Sequence, residues 1–207
     1  SGSGCVKVTA FMAWFDEPVK QLYDCVRSAA VIADRVVALD GGYVNYPGAR
    51  PRSRPEQHRA IERAARDARL KLRIETPDRI WAGQVEKRNA LVHLAEKWGS
   101  DWLVGLDADY VLWGDRKEIR AELAGLPADV CSLCVKFGTP IPEGANLDEG
   151  ASGEWHRDLA GRVITIPLVF RCLKDMRVER RHWWYSGVRD GRRVSLWGCE
   201  HLYPASG

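Results

Sequence analysis

A chain of 207 residues, 45% of them hydrophobic and 29% charged, is long enough for one well-cored domain and short for two. No run approaches the roughly 18 apolar residues of a membrane-spanning helix, and the basic-then-apolar pattern of a secretion leader is missing, so the expectation is a soluble, cytoplasmic protein without membrane insertion. The net charge of +3 does not by itself argue for a polyanionic partner.

Ser1-Gly-Ser-Gly4 reads as a tag remnant and is set aside. Cys5 to Phe15 is an apolar, β-branched run that predicts a first strand, and Asp16-Glu17-Pro18 opens a helix whose apolar positions recur from Leu22 up to Asp34. Arg35-Val-Val-Ala-Leu39 predicts a second strand ending in Asp40 before Gly41-Gly42. An acid and a glycine turn at a strand end suit a nucleotide's ribose or base, although they also suit a plain turn. Glu56 to Leu70 predicts a helix, Lys71 to Ile74 a third strand, and Gln84 to Trp98 a further helix with Val85, Leu91, Leu94 and Ala95 as its buried stripe.

Arginines crowd the segment from Arg50 to Arg73, which reads either as a solvated face with internal ion pairs or as a surface for an anionic partner. Lys87 and Arg88, in the first turns of their helix, oppose its dipole unless an anion binds there. Trp102-Leu-Val-Gly-Leu106 has the texture of a strand buried on both faces, and Asp107 and Asp109 follow where it would emerge. Two carboxylates one residue apart in an extended segment point the same way and can hold a hard divalent cation; the alternative is a turn-forming strand end.

Gly114-Asp115 caps a helix through Leu123, and Ala128 to Phe137 predicts another strand. The loop from Gly138 to Asp158 carries Glu143, Asp148, Glu149, Glu154 and Asp158. Short strands follow at Val163 to Arg171, Val178 to Tyr185 and Arg193 to Trp197, with turns at Lys174-Asp175 and Asp190-Gly191. Trp183, Trp184 and Tyr185 form either a stacking platform or core packing. The six cysteines lie mainly in apolar segments, which suits reduced thiols. The fold class expected is α/β, a mainly parallel sheet with helices on both faces and a mixed or antiparallel C-terminal part.

In this order the pieces Val8-Thr-Ala-Phe-Met-Ala-Trp-Phe-Asp16-Glu17, Val36-Val-Ala-Leu-Asp40-Gly-Gly42, Lys87-Arg88-Asn89, Leu103-Val-Gly-Leu-Asp107-Ala-Asp109 and Cys199-Glu-His201-Leu-Tyr203 resemble the GT-A fold nucleotide-sugar glycosyltransferases, most nearly the family 2-like members. The resemblance implies one Rossmann-like domain over residues 5–207, with a nucleotide-sugar half at 5–110 and an acceptor half at 111–207. It implies transfer of a hexosyl group from a nucleoside-diphosphate sugar, a UDP-sugar first, to a hydroxyl of a small molecule or a glycan, and the arginine segment leaves open a modified DNA base as acceptor. DNA would approach through the Arg50–Arg73 segment. Asp16, Asp40, Lys87, Arg88 and Asp107 would bind the donor, while Asp107, Asp109 and His201 would hold Mn²⁺ or Mg²⁺, for which carboxylates are the suitable hard ligands. The Glu-Asp pair that inverting members carry at a helix start is missing here. Asp148 and Glu149 are therefore the expected catalytic base, with Glu154 and Asp158 behind them. A nucleotidyltransferase of similar fold and a non-catalytic nucleotide- or nucleic-acid-binding module are the rival readings.

Overall fold

The structure, a computed structural model, describes residues 6–136, 165–179, 185–196 and the backbone of 201–202. In chain order its elements are β1 (Val8–Ala13), α1 (Val19–Ser28), β2 (Arg35–Leu39), α2 (Pro55–Asp67), β3 (Lys71–Glu75), α3 (Gln84–Lys97), β4 (Trp102–Asp107), α4 (Arg116–Gly125), β5 (Ser132–Lys136), β6 (Thr165–Arg171), β7 (Lys174–Val178), β8 (Tyr185–Arg189), β9 (Arg192–Ser195) and β10 (His201–Leu202).

Seven strands form one sheet in the order β10-β5-β6-β4-β1-β2-β3. The pairs β1–β2, β1–β4, β2–β3 and β5–β10 are parallel, whereas β6 runs antiparallel between β4 and β5. Alternation along each strand explains why the parallel strands read as unbroken apolar runs. In β1, Val8, Ala10 and Met12 enter one core beneath α1 and α2, with Leu22, Cys25, Val26, Ile61 and Ala64. Phe11 points the other way, with Val37, Leu39 and Leu103, into a second core closed by α3 and the small antiparallel sheet β7-β8-β9. The α/β class with helices on both faces is therefore observed. The strand order also turns back on itself between β1 and β4, since the chain builds outward through β2 and β3 and then returns to the far side of β1. In open α/β sheets that reversal opens a crevice at the carboxyl ends of the strands.

Local chemistry sets the helix ends. Pro55 occupies the first turn of α2, and the Gln57 amide oxygen accepts from the Arg54 backbone N–H at 3.2 Å. The Asp115 carboxylate accepts from the Glu118 N–H at 2.9 Å at the start of α4. Three expectations need correction. The helical pattern expected up to Asp34 ends as α-helix at Ser28, whose hydroxyl bonds back to the Cys25 carbonyl at 2.8 Å, and one 3₁₀ turn (Ala29–Val31) follows. The turn expected at Lys174-Asp175 lies inside β7, because Asp175 adopts a φ of 51° and the pairing with β8 shifts register there. Cys25, Cys131 and Cys172 are free thiols, but Cys134 is disulfide-bonded, with its partner cysteine outside the described residues. No helix among the described residues is long and apolar enough to cross a membrane.

Candidate active site

The crevice between the ends of β1 and β4 is a cleft of about 470 Å³ whose lining includes Glu17, Tyr43, Tyr46, Arg88, Asp107 and Asp109. Asp107 is the last residue of β4, and Asp109 stands two residues on, exposed and without a hydrogen bond or ion pair to any described residue. The Arg88 guanidinium, 6% exposed, reaches from α3 to the Asp107 carboxylate and lies 3.4 Å from the Tyr185 hydroxyl, which anchors it from β8. Arg88 Nε is buried without a partner. A buried guanidinium with an unused donor can take an anion at little extra desolvation cost.

Glu17 is the residue that sequence reasoning missed. It read as the acid of a helix start, yet Asp16 takes a φ of 57° and turns the chain so that Glu17 enters the cleft. Burial holds the Glu17 carboxyl above the usual carboxylate range, and Asp109, Asp107 and Asp16 raise it further, against a partial lowering by Lys87. The Tyr110 phenol is pushed up for the same reasons, burial first and then Asp107 and Asp109. The cleft is thus a place where negative charge is held under strain. A raised folded-state carboxyl opposes folding as pH rises through its titration, so Glu17→Gln is expected to raise the melting temperature of the metal-free protein at neutral pH and to remove this carboxyl's share of the loss of stability as pH rises above its ordinary value of 4.5; a thermal melt series checks this.

Asp16 itself faces α2. Its Oδ1 accepts from Arg50 at 2.9 Å and Arg54 at 3.2 Å, with the Gln57 amide at 3.4 Å. Asp40 is fully buried: it accepts from the Gly41 N–H (2.7 Å), the Ser53 hydroxyl (2.5 Å) and the Ser53 N–H (2.7 Å), and His58 Nε2 lies at 2.8 Å. With its lone pairs occupied by its own chain, Asp40 organises the loop 41–54 and does not line the cleft, in contrast to the donor contact expected of it. Lys87, expected beside the donor, is also fully buried. Its ammonium donates to the Trp14 and Gly41 carbonyls, each at 2.6 Å, and sits 5.2 Å from the centre of the Tyr43 ring. It ties the ends of β1 and β2 together behind the cleft, and burial pushes its pKa down to about 7.

Gly41 is needed in this loop. Its φ is +112°, and a Cβ there would stand 2.7 Å from the Trp81 ring nitrogen, which donates to the Asp40 carbonyl at 2.9 Å. Gly41→Ala is expected to cost about 2–3 kcal/mol in a urea unfolding titration.

Asp148, Glu149, Glu154 and Asp158, as well as Trp183 and Trp184, lie outside the described residues. The backbone of His201 pairs beside Leu133 in β10. Tyr185 is buried and packs on Phe170 (ring centres 4.5 Å apart) and Phe11 (5.9 Å), so it belongs to the core and is no stacking platform. Among the described residues, no three His, Cys, Asp or Glu side chains come together to hold a metal ion. Mg²⁺ and Mn²⁺ favour hard carboxylate oxygens, and Asp107 and Asp109 are two of the acids that line the cleft.

Topology and cleft together define an open, Rossmann-like α/β domain with an acidic site at its switch point. No family profile matches the chain, and no curated protein matches it. Among solved structures the chain is similar to the mannosyltransferase PcManGT from Pyrobaculum calidifontis, solved in complex with GDP-Man and Mn²⁺. The identity is 18% and the TM-score 0.44, with 63% of this chain and 35% of that chain covered, so the chain spans about a third of that protein's length.

Proposed function

We propose that this protein is a glycosyltransferase that binds a nucleoside-diphosphate sugar in the switch-point cleft and passes its sugar to a hydroxyl acceptor. The observation that carries the reading is that Glu17, Asp107 and Asp109 line one cleft with the buried Arg88 at the carboxyl ends of the strands. Asp109, with Asp107, would hold Mn²⁺ or Mg²⁺ on the donor diphosphate; the ion would stabilise the charge that builds on the departing nucleotide. Arg88 orients Asp107 and, as a cation lining the cleft, would attract a diphosphate. Tyr43 and Tyr46 give the cleft aromatic faces, suited to a base or sugar ring. Lys87 and Asp40 act behind the cleft, fixing the strand ends and the loop that carry these rings. His201 as a third metal ligand and Asp148 or Glu149 as the base that takes the acceptor proton complete the proposal.

The test is nucleotide release from UDP-, GDP-, CDP- and dTDP-sugars with Mn²⁺, against the same reactions in EDTA. Metal-dependent release of one nucleoside diphosphate, a UDP-sugar being the first expected, supports the reading. Pyrophosphate formation from a nucleoside triphosphate would replace it by a nucleotidyltransferase, and absence of any nucleotide binding would leave a binding module.

A further inference from the structure

The basic segment divides in two once folded. Arg50 and Arg54 are taken up by Asp16, and Arg73 pairs with Glu75 at 2.7 Å. Arg59, Arg63 and Arg66 form a separate row on α2, at positions i, i+4 and i+7. The buried residues of that helix, Gln57, Ala60, Ile61, Ala64 and Ala65, occupy the opposite side, so Arg59 and Arg66 project into solvent. Arg52 precedes the helix, and Arg69, held at a φ of 56°, follows it; both are exposed. The guanidinium groups of Arg52, Arg59, Arg66 and Arg69 make no hydrogen bond or ion pair with any described residue, while that of Arg63 lies over the Tyr23 ring at 4.8 Å. Of the acids on α2, Glu62 and Asp67 are exposed and Glu56 is half-buried; Asp67 accepts from the Tyr23 hydroxyl at 2.8 Å, which leaves Glu62 as the exposed acid beside the row with no side-chain partner among the described residues.

From this we infer that the exposed face of α2 docks the sugar-phosphate backbone of double-stranded DNA through Arg52, Arg59, Arg66 and Arg69. Guanidinium groups suit phosphate oxygens because their planar donors match them two at a time. A row about 10 Å long on a straight helix fits a rigid, regularly charged rod. A membrane surface is a poorer occupant: the large apolar side chains exposed among the described residues are Val19, Val44, Tyr46 and Ile80, none of them on α2, so this face has nothing to insert among lipid chains. Single strands are poorer too, since Tyr23, the aromatic ring beside the row, is covered by Arg63 and bound to Asp67 and cannot stack on a base. The inference is independent of the transferase reading, because no residue of the row lines the cleft.

The experiment is fluorescence anisotropy of the full chain with a labelled 20-base-pair DNA duplex between 50 and 200 mM NaCl. Four phosphate contacts predict a log–log salt slope of roughly −3.6, a loss of about 100-fold in affinity over that range. In the Arg59→Ala/Arg66→Ala double variant the slope should fall to roughly −1.8. Nucleotide-dependent thermal stabilisation of the same variant reports the cleft separately and should stay at the wild-type value. No duplex binding at 50 mM NaCl, binding indifferent to salt, or an unchanged double variant would overturn the inference. So would tighter binding to duplex RNA, or capture by phosphatidylglycerol vesicles without capture by DNA.

Discussion

Replacing Asp109 by Asn lowers metal-dependent nucleotide affinity about 100-fold and leaves the melting temperature within about 2 °C of wild type. The two halves of this expectation have separate causes. Asp109 is exposed and makes no hydrogen bond or ion pair with a described residue, so its charge does nothing for folding; by lying near Glu17 it raises that carboxyl and slightly opposes the folded state. In the proposed site the same freedom would leave it open to a divalent cation, since Asp107 is already engaged by Arg88. Asn keeps the shape and one oxygen but removes the charge that draws Mn²⁺ out of water. Titrating nucleotide with and without Mn²⁺ by calorimetry checks the first half and a melt the second. Asp107→Asn is the instructive contrast: it strands the buried Arg88 and should lose stability as well as binding.

Lys87→Met should change the pH dependence of stability more than any other substitution in the core. The Lys87 amine has a folded-state pKa of about 7 against a usual 10.5, with burial as the main cause and Arg88 adding to it, while Asp40 and Glu17 pull the other way. Between those two values the unfolded chain binds more protons than the folded one, so this group makes stability rise with pH, by up to about 1.4 kcal/mol per unit. Below pH 7 the group is charged in both states, and the full cost of burying the charge is present. Methionine has no proton to lose. The difference in unfolding free energy between wild type and Lys87→Met should therefore shift by about 2 kcal/mol in favour of wild type from pH 7 to pH 9. Tyrosines and cysteines that titrate above that range are common to both proteins and cancel. Parallel slopes in urea titrations at the two pH values would mean that Lys87 is not buried as a near-neutral amine.

Much of the architecture was legible because burial on both faces leaves a plain mark. Val36 to Leu39 and Leu103 to Leu106 are unbroken apolar runs since their alternate residues feed two different cores. The α3 stripe of Leu91 and Ala95 and the cap at Asp115 follow from periodicity and a single hydrogen bond. The site was legible only in part. Asp107, Asp109 and Arg88 meet in one cleft because the end of β4 and the first turns of α3 share one edge of the sheet. Asp40 and Lys87 carry charge, and a charged residue at a strand or helix end reads as solvent-facing; their inward turn depends on partners more than ten residues away, Ser53 and His58 for one and the Trp14 and Gly41 carbonyls for the other. Asp16 and Glu17 exchanged roles through one positive φ, which no spacing rule reports. The arginine segment held two answers in one stretch, and only the helix phase of α2 separates those that serve Asp16 from those that face solvent.

Anomalous diffraction at the manganese edge, from crystals grown with Mn²⁺ and the nucleotide that stabilises the protein most, would locate the metal directly. One peak is expected in the cleft, within bonding distance of Asp109, with the diphosphate between it and Arg88. A nucleotide bound with its diphosphate away from Asp107 and Asp109, or a manganese peak elsewhere on the chain, would contradict the proposed site.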